Sequence, residues 1–283
     1  MAIVYALCCL MCAALNDFIF KLFARRRRPR GLFAALIGIV WLLASLLLPV
    51  DWSHRGTTLL WGGLSGLLSI AANLLLIEAM GMQSAGICST VFRLNLVPVV
   101  FFAWLLLGER ISALQWGGIA CAIGAILCFL PVSRVRNSRL ARFARLGIFL
   151  AICAALLRAG MGIAYKYAFL NGADRNGIVL VNSLFWIVGG FWYSLIRERR
   201  QIGVDRAMLG YSVVSGGFVV GIVFFMAASL QYGEAGIVLP IMQMSFPVTM
   251  LFGTLFLKEP VSSRQLVGTG LGILAVVLLC CDS

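Results

Sequence analysis

Two stretches of the chain, LLLGERISALQWGG (105–118) and LFLKEPVSSRQLVG (255–268), carry the same pattern. In each stretch an apolar segment ends in a short turn with a glutamate, and a Ser-x-x-Gln pair opens the next apolar segment. The same shift along the chain aligns AGI (85–87) with AGI (235–237). Because self-similarity at a fixed spacing indicates repeated structural units, we predict two related halves, 1–135 and 136–283.

The composition indicates that these halves are solvated by lipid. Of the 283 residues, 62% are hydrophobic and 12% are charged, whereas a soluble domain carries about 25% charged residues. About twenty apolar residues cross a hydrocarbon core of ~30 Å as a helix. The sequence therefore predicts an all-α membrane protein with ten transmembrane helices. The predicted spans are 2–20, 32–50, 57–80, 86–107, 113–131, 146–170, 177–195, 209–230, 236–257 and 266–280.

The number of spans in each half sets the relation between the halves. Each half holds five spans, and since five is odd, the second half enters the membrane from the opposite face. We therefore predict two inverted five-helix repeats that form one integral membrane bundle. Inverted repeats are a common architecture of secondary transporters, with the solute site near the midplane between the repeats. The repeat therefore favours a carrier over a receptor or a scaffold.

The net charge of +13 is unevenly distributed along the chain. Lys and Arg residues concentrate in the joints that follow odd-numbered spans, and few lie in the other joints. Flanking Lys and Arg residues tend to remain in the cytoplasm, so we predict that both termini lie outside. The basic run Arg25–Arg30 either determines this topology or binds anionic lipid headgroups. Its place in a joint argues against a nucleic-acid partner.

Residue patterns of enzymes and metal sites are missing from the sequence. The nine cysteines lie within or at the ends of the spans, and His54 is the only histidine. No hydrolase triad, phosphate loop or zinc pattern is recognisable. We therefore expect a protein that is not an enzyme, with no catalytic residue, no metal and no cofactor apart from a coupling proton.

The repeated turns have a structural interpretation. Ser112-x-x-Gln115 and Ser262-x-x-Gln265 match the capping box, in which a hydroxyl and an amide satisfy free N–H groups at a helix start. We favour capping and turn formation over a direct transport role for Glu109 or Glu259.

Together these motifs resemble those of the EamA family of the drug/metabolite transporter superfamily. Each half has an A-G-I opening to its fourth span, a proline inside that span and an L-G-E or L-K-E turn before the fifth. The resemblance covers essentially the whole chain. It implies a ten-helix carrier whose central cavity is lined mainly by spans 3, 4, 8 and 9, and partly by spans 1 and 6. It also implies export of amino acids, metabolites or drugs, often coupled to protons. Bacterial members usually have cytoplasmic termini, whereas the charge distribution here predicts the opposite orientation.

Polar residues inside the predicted spans mark the candidate site. Such residues are costly in lipid and usually face the bundle interior or a water-filled path. The repeat matches Arg93 and Asn95 in span 4 to Gln243 and Ser245 in span 9. The candidate substrate-binding residues are Asn73, Phe92, Arg93, Asn95, Arg158, Gln243 and Ser245.

Specific roles follow from the chemistry of these side chains. We hypothesise that Arg93, aided by Arg158, binds a carboxylate or phosphate, because a guanidinium suits either group. The alternative is that the two arginines pair with Asp17 or Glu78 and lock the helices together. Asp17 and Glu78 are also candidates for proton coupling, because a carboxylate in a low-dielectric cavity can exchange protons near neutral pH.

The expected function is secondary active transport of a small polar metabolite, such as an amino acid, by alternating access. We expect export across a bacterial inner membrane, with or without coupling to protons. The transporter would be a monomer or homodimer in contact with the lipid bilayer. One alternative is a transporter or flippase of a phosphorylated or lipid-linked substrate. Another is a non-transporting membrane scaffold, which would have no need of polar residues at the midplane.

Overall fold

The computed structural model describes residues 1–26, 28–107, 112–129, 139–198, 204–232 and 241–280. Within these ranges the regular structure is helical and no strand is present. In chain order, the helices are α1 (Ala2–Ala24), α2 (Arg30–Ser45), α3 (Arg55–Met80), α4 (Ala85–Arg93), α5 (Leu96–Leu107), α6 (Ala113–Phe129), α7 (Arg139–Leu170), α8 (Arg175–Arg197), α9 (Arg206–Tyr232), α10 (Ser245–Leu257) and α11 (Ser263–Cys280).

The helices fall on the predicted spans, and most of their ends agree within a few residues. Five of them are long and apolar enough to cross a membrane, and the other apolar helices have 10–17 residues. The predicted start of span 9 at 236 and the predicted boundary between the halves at 135 lie outside the described residues. These helices confirm an all-helical, apolar architecture.

The helices of the first half pack mainly against those of the second half. The principal pairs are α1 with α9, α2 with α8, α3 with α7, α3 with α8, α2 with α9, and α6 with α11. This set is unchanged when the halves are exchanged, because α9 is the repeat equivalent of α3, and α7 that of α1. The largest core cluster accordingly draws on both halves, with fully buried Phe20, Phe33, Ile77 and Ile148.

Glycines allow a close contact between α2 and α8. A Cβ atom on Gly190 would lie 2.6 Å from the backbone oxygen of Gly31 and 2.6 Å from the backbone nitrogen of Ala35. Both neighbours are backbone atoms, which cannot rotate away. The two helices therefore touch backbone to backbone, as small residues permit in membrane bundles.

The predicted span 86–107 consists of two helices instead of one. The chain turns at Leu94 and Asn95, between α4 and α5. Pro98 has no N–H to donate to the carbonyl oxygen of Leu94, which instead accepts a hydrogen bond of 3.1 Å from the N–H of Val97. The proline four residues after Leu94 therefore permits the break.

The second half has a break at the equivalent position. The chain turns at Met244, immediately before α10 begins at Ser245, and the repeat aligns Met244 with Leu94. Pro247 leaves the carbonyl of Gln243 without its helical donor. Discontinuous helices of this kind form the solute sites of many transporters, so both breaks direct attention to the adjacent interior.

Capping boxes open α6 and α11, as predicted. The Gln115 N–H donates to Ser112 Oγ at 3.2 Å, and the Ser112 N–H donates to Gln115 Oε1 at 3.0 Å. The corresponding distances for Ser262 and Gln265 are 3.3 and 2.8 Å. These four hydrogen bonds confirm the structural interpretation of the repeated turns. Glu109 lies outside the described residues.

Candidate functional site

A cavity of about 110 Å³ lies inside the bundle, beside the break between α4 and α5. Helices α1, α2, α3, α4, α7, α8 and α9 contribute to its lining. Its polar lining residues are Asn16, Asp17, Ser69, Asn73, Arg93, Arg158 and Tyr165. An interior space with convergent polar groups among apolar walls is the usual form of a small-molecule site.

Asp17 and Arg93 form an ion pair at this cavity. Arg93 Nη2 lies 3.4 Å from Asp17 Oδ2, and the hydroxyl of Ser89 donates to the same oxygen at 2.6 Å. Asp17 is 2% exposed. Among the residues that the structure describes, no acceptor contacts the buried Nε of Arg93. Arg93 is therefore neutralised by Asp17 while one of its donors remains available.

Arg158 supplies a second positive charge to the cavity. Its Nη1 lies 3.2 Å from the sulfur of Met161, a weak acceptor. No carboxylate forms an ion pair with Arg158 in the described part of the chain. Since Asp17 already balances Arg93, the lining of the cavity carries one excess positive charge.

Aromatic side chains form much of the cavity wall. The rings of Trp41 and Trp186 meet edge to face, with centroids 5.8 Å apart, and Trp186 Nε1 donates to Ser69 Oγ at 2.9 Å. Trp41 Nε1 is buried without an acceptor among the described residues. The hydroxyl of Tyr165 accepts a hydrogen bond from Asn182. The site thus combines flat apolar surfaces with hydrogen-bond donors.

A second pocket of about 220 Å³ adjoins the cavity and shares Trp41 and Val223 with it. This pocket is lined by the last turns of α2 and the first turn of α8, including Arg175 and Asn176. Together the two spaces reach the lower end of the usual range for ligand pockets, about 300 Å³. They extend from the interior toward the end of the bundle where α2 ends and α8 begins.

Lys21 anchors a polar network at the opposite end of the bundle. Its ammonium donates to the carbonyl oxygens of Met80 (2.9 Å) and Gln83, and it pairs with Glu259 at 3.1 Å. Glu259 also accepts a hydrogen bond of 3.0 Å from the N–H of Ala85. The network joins α1, the turn between α3 and α4, and the turn between α10 and α11.

A second network lies at the same end. Arg30 pairs with Glu78, which also accepts a hydrogen bond of 2.8 Å from the hydroxyl of Tyr193. Glu198 accepts hydrogen bonds from the N–H groups of Arg30 (2.6 Å) and Gly31 (3.1 Å). Burial raises the pKa of Glu198, and these two N–H groups oppose that rise. The two networks tie the helices together at this end.

Five residues predicted for the site line the cavity. These are Asp17, Asn73, Phe92, Arg93 and Arg158. The two hypotheses for Arg93 are compatible in the structure, because Arg93 pairs with Asp17 and also faces the cavity. Its guanidinium lies 5.8 Å from the centroid of the Phe92 ring.

The other predicted residues do not line the cavity. Asn95 is 5% exposed at the helix break, where its N–H donates to the carbonyl of Phe92. Ser245 is fully buried and Gln243 half-buried, because the start of α10 packs against α1 and α4. Glu78 lies near the end of α3, where Arg30 reaches it. The equivalent positions of the repeat therefore have different surroundings in the two halves.

Sequence reasoning missed three aromatic lining residues, Trp41, Tyr165 and Trp186. Their apolar surroundings hide them in a search for ionisable groups. Their position in the sequence could have identified the two tryptophans, because tryptophan and tyrosine are normally enriched at the membrane interfaces. Trp41 and Trp186 lie near the middle of their predicted spans, where a polar N–H needs an interior partner.

The basic run after α1 is partly engaged within the protein. Arg28 Nε lies 3.6 Å from an oxygen of Asp205, and the guanidinium of Arg28 lies 5.2 Å from the ring centroid of Tyr211. Arg25 and Arg26 are exposed, whereas Arg27 is outside the described residues. Any contact with anionic headgroups from the described residues of this run would thus involve chiefly Arg25 and Arg26.

Comparison with known proteins agrees with this geometry. The model of the EamA-like transporter family matches residues 1–130 and 145–281. An uncharacterized protein of Methanocaldococcus jannaschii is 31% identical over 85 residues, which are 30% of this chain and 62% of that protein's length. A crystal structure of another protein superposes with a TM-score of 0.63 at 15% identity, covering 98% of this chain and 95% of that one. The likeness to that crystal structure concerns the fold alone. The family match confirms the resemblance read from the repeated motifs. The chain belongs to the EamA-like transporter family of the drug/metabolite transporter superfamily, and its long apolar helices are those of an integral membrane protein.

Proposed function

We propose that the protein is a secondary active transporter that carries a small polar metabolite through the cavity at Arg93 by alternating access. The observation that carries this proposal is the charged, aromatic-lined cavity beside a helix break. Buried charges in a membrane protein are costly and usually serve a solute or ion path. A scaffold gains nothing from the buried donors of Arg93 and Trp41, which meet no acceptor among the described residues.

The proposed architecture is ten spans in two inverted repeats. The exchange-symmetric helix pairs and the equivalent breaks at Leu94 and Met244 support it. Two related halves of opposite orientation can exchange conformations at little energetic difference, which opens the site first to one side and then to the other.

The two ends of the bundle support alternation between two states. The pocket at Arg175 leads from the cavity toward one end, and the networks around Lys21 and Glu78 join the helices at the other. Transport requires these networks to separate as the Arg175 end closes. We propose that Arg175 faces the outside of a bacterial inner membrane, as the charge distribution predicts, and that the net direction is export.

Counterflow in proteoliposomes tests the function. Vesicles loaded with one unlabelled carboxylate or amino acid at a time take up the labelled form of the same compound if the protein exchanges it. We expect saturable uptake for at least one compound, and a loss of about tenfold or more in Arg93→Ala, because a charged hydrogen-bonding group leaves the cavity.

The matched control for this assay is Arg264→Ala. Arg264 is exposed and donates at 3.4 Å to the carbonyl of Leu127, away from the cavity. Equal uptake by Arg93→Ala, Arg264→Ala and the unmodified protein would remove the cavity from the transport path.

A further inference from the structure

We propose that the cavity selects organic monoanions with an apolar body, and that Arg158 sets this selection. The inference rests on the proposed transport function and names the class of solute that it serves. Arg158 acts here as a specificity-determining residue, and Arg93 belongs to a pair that is already neutral.

The charge balance of the cavity lining is the first argument for the selection of anions. Asp17 accepts a hydrogen bond from Ser89 at 2.6 Å and pairs with Arg93 at 3.4 Å, both through Oδ2, so its negative charge is already balanced. Asn16 Oδ1 already accepts a hydrogen bond from Ser215 at 2.6 Å. Arg158, by contrast, has no carboxylate among the described residues. A solute with one negative charge completes the balance, whereas an ammonium brings a like charge near Arg158.

Two buried donors without an acceptor among the described residues are the second argument for the selection of anions. Trp41 Nε1 and Arg93 Nε are both buried without an acceptor in the described ranges, and both residues line the cavity. A buried donor without a partner costs free energy that a bound acceptor recovers. Together with the guanidinium of Arg158, these N–H groups suit the oxygens of a carboxylate.

The entrance adds a third argument. Arg175 is exposed in the pocket that adjoins the cavity. The neighbouring carboxylate of Asp174 is held by the N–H of Gly177 at 2.6 Å, as the N-cap of α8. A cleft lined by one sign of charge raises the local concentration of the opposite ion. The path from Arg175 to Arg158 therefore favours anions along its length.

The aromatic walls of the cavity favour a solute with an apolar body. Trp41, Phe92 and Trp186 present aromatic faces, and Met161 adds a polarisable side chain. Flat apolar groups pack well against such surfaces. The solute is accordingly a small carboxylate with an apolar body and without an amino group.

Three matched compounds test the selection. 3-Phenylpropionate is an anion, phenylalanine is the same skeleton with an added ammonium, and 2-phenylethylamine lacks the carboxylate. Each is titrated into the detergent-solubilised protein, and its dissociation constant is obtained from thermal stabilisation. The variants are Arg158→Gln, which removes the charge, Arg158→Lys, which keeps it, and Arg264→Gln as a surface control.

We expect 3-phenylpropionate to bind at least about tenfold more tightly than the other two compounds. Arg158→Gln should lose most of this preference while changing the binding of phenylalanine little, and Arg158→Lys should restore part of the preference. Arg264→Gln should behave like the unmodified protein.

Other results overturn the inference in distinguishable ways. Tighter binding of phenylalanine or 2-phenylethylamine, or an equal loss for all three compounds in Arg158→Gln, contradicts the charge selection and leaves transport standing. If none of the three compounds binds but a different solute shows counterflow, the charge selection is again contradicted and transport still stands. Absence of both binding and counterflow removes the inference and the proposed function together.

Discussion

At the scale of single residues, Asp17 and Glu78 show how position separates two carboxylates that look equivalent in the sequence. Asp17 faces the cavity and shares an oxygen between Ser89 and Arg93. Glu78 lies outside the cavity and is held by Arg30 and Tyr193. A carboxylate that faces the solute path is therefore the better candidate of the two for proton coupling.

The first prediction therefore compares Asp17→Asn with Glu78→Gln. If transport is coupled to protons, Asp17→Asn should remove its response to an imposed pH gradient, because the exchangeable group in the cavity is gone. Glu78→Gln should lower the melting temperature through the lost ion pair but keep the pH response. Counterflow at several pH gradients is the measurement, and a normal gradient response in Asp17→Asn would exclude Asp17 from coupling.

The second prediction concerns the backbone at Lys258. This residue ends α10 in the left-handed conformation, with φ 53° and ψ 37°, and the repeat aligns it with Gly108. A left-handed conformation costs an L-residue roughly 1–2 kcal/mol relative to the right-handed one, and glycine is free of this cost. Lys258→Gly should therefore be about 1 kcal/mol more stable than Lys258→Ala.

Lys258 is exposed, so both substitutions remove the same surface side chain, and thermal unfolding in detergent compares them directly. A melting temperature of Lys258→Ala equal to or above that of Lys258→Gly would contradict the left-handed cap.

The candidate site was only partly predictable from its residues. Arg93, Arg158 and Asp17 stood out because ionisable groups are rare in apolar spans. Trp41 and Tyr165 did not, because hydropathy treats a cavity wall and a packed core alike. Asn95 and Ser245 are polar at equivalent repeat positions, yet both are buried between helices, and the repeat alone gives no information about which face of a helix meets the cavity.

At the scale of helices, the repeated turns and the helix ends were predictable, whereas the break in span 4 was not located. The Ser-x-x-Gln pairs identified the starts of α6 and α11 because capping depends on neighbouring residues. A proline inside span 4 does not locate a break, because proline kinks and complete breaks share the same local sequence. The difference depends on packing around Leu94 and Asn95.

The third prediction tests the contact between α2 and α8. Gly190→Ala places a Cβ atom 2.6 Å from backbone atoms of Gly31 and Ala35, so the two helices must separate. Overpacking of this kind costs about 1–3 kcal/mol, and thermal unfolding in detergent should register a clear decrease.

Gly217→Ala is the matched control for this prediction, because nothing lies within 4 Å of a Cβ atom at that position of α9. It should leave the melting temperature unchanged or raise it, since alanine favours a helix over glycine by about 1 kcal/mol. Equal destabilisation by the two substitutions would contradict the close contact.

At the scale of the whole molecule, we propose that the cavity and the pocket at Arg175 form one pathway, which is open at that side and closed by the networks at the other end. Val223 lies on this pathway and lines both the cavity and the entrance pocket. Val213 lies on the same helix but is 57% exposed on the bundle surface, where lipid would cover it. Water should reach the first position and not the second.

The final measurement is the reaction of Val223→Cys with a charged, membrane-impermeant thiol reagent in right-side-out and inverted vesicles, with Val213→Cys as control. Mass spectrometry of peptides separates these sites from the native cysteines. We predict that Val223→Cys reacts from the side that Arg175 faces, the outside, and that Val213→Cys stays unmodified. Reaction from the inside alone would reverse the orientation. An unreactive Val223→Cys from both sides would contradict a hydrated solute path through the cavity.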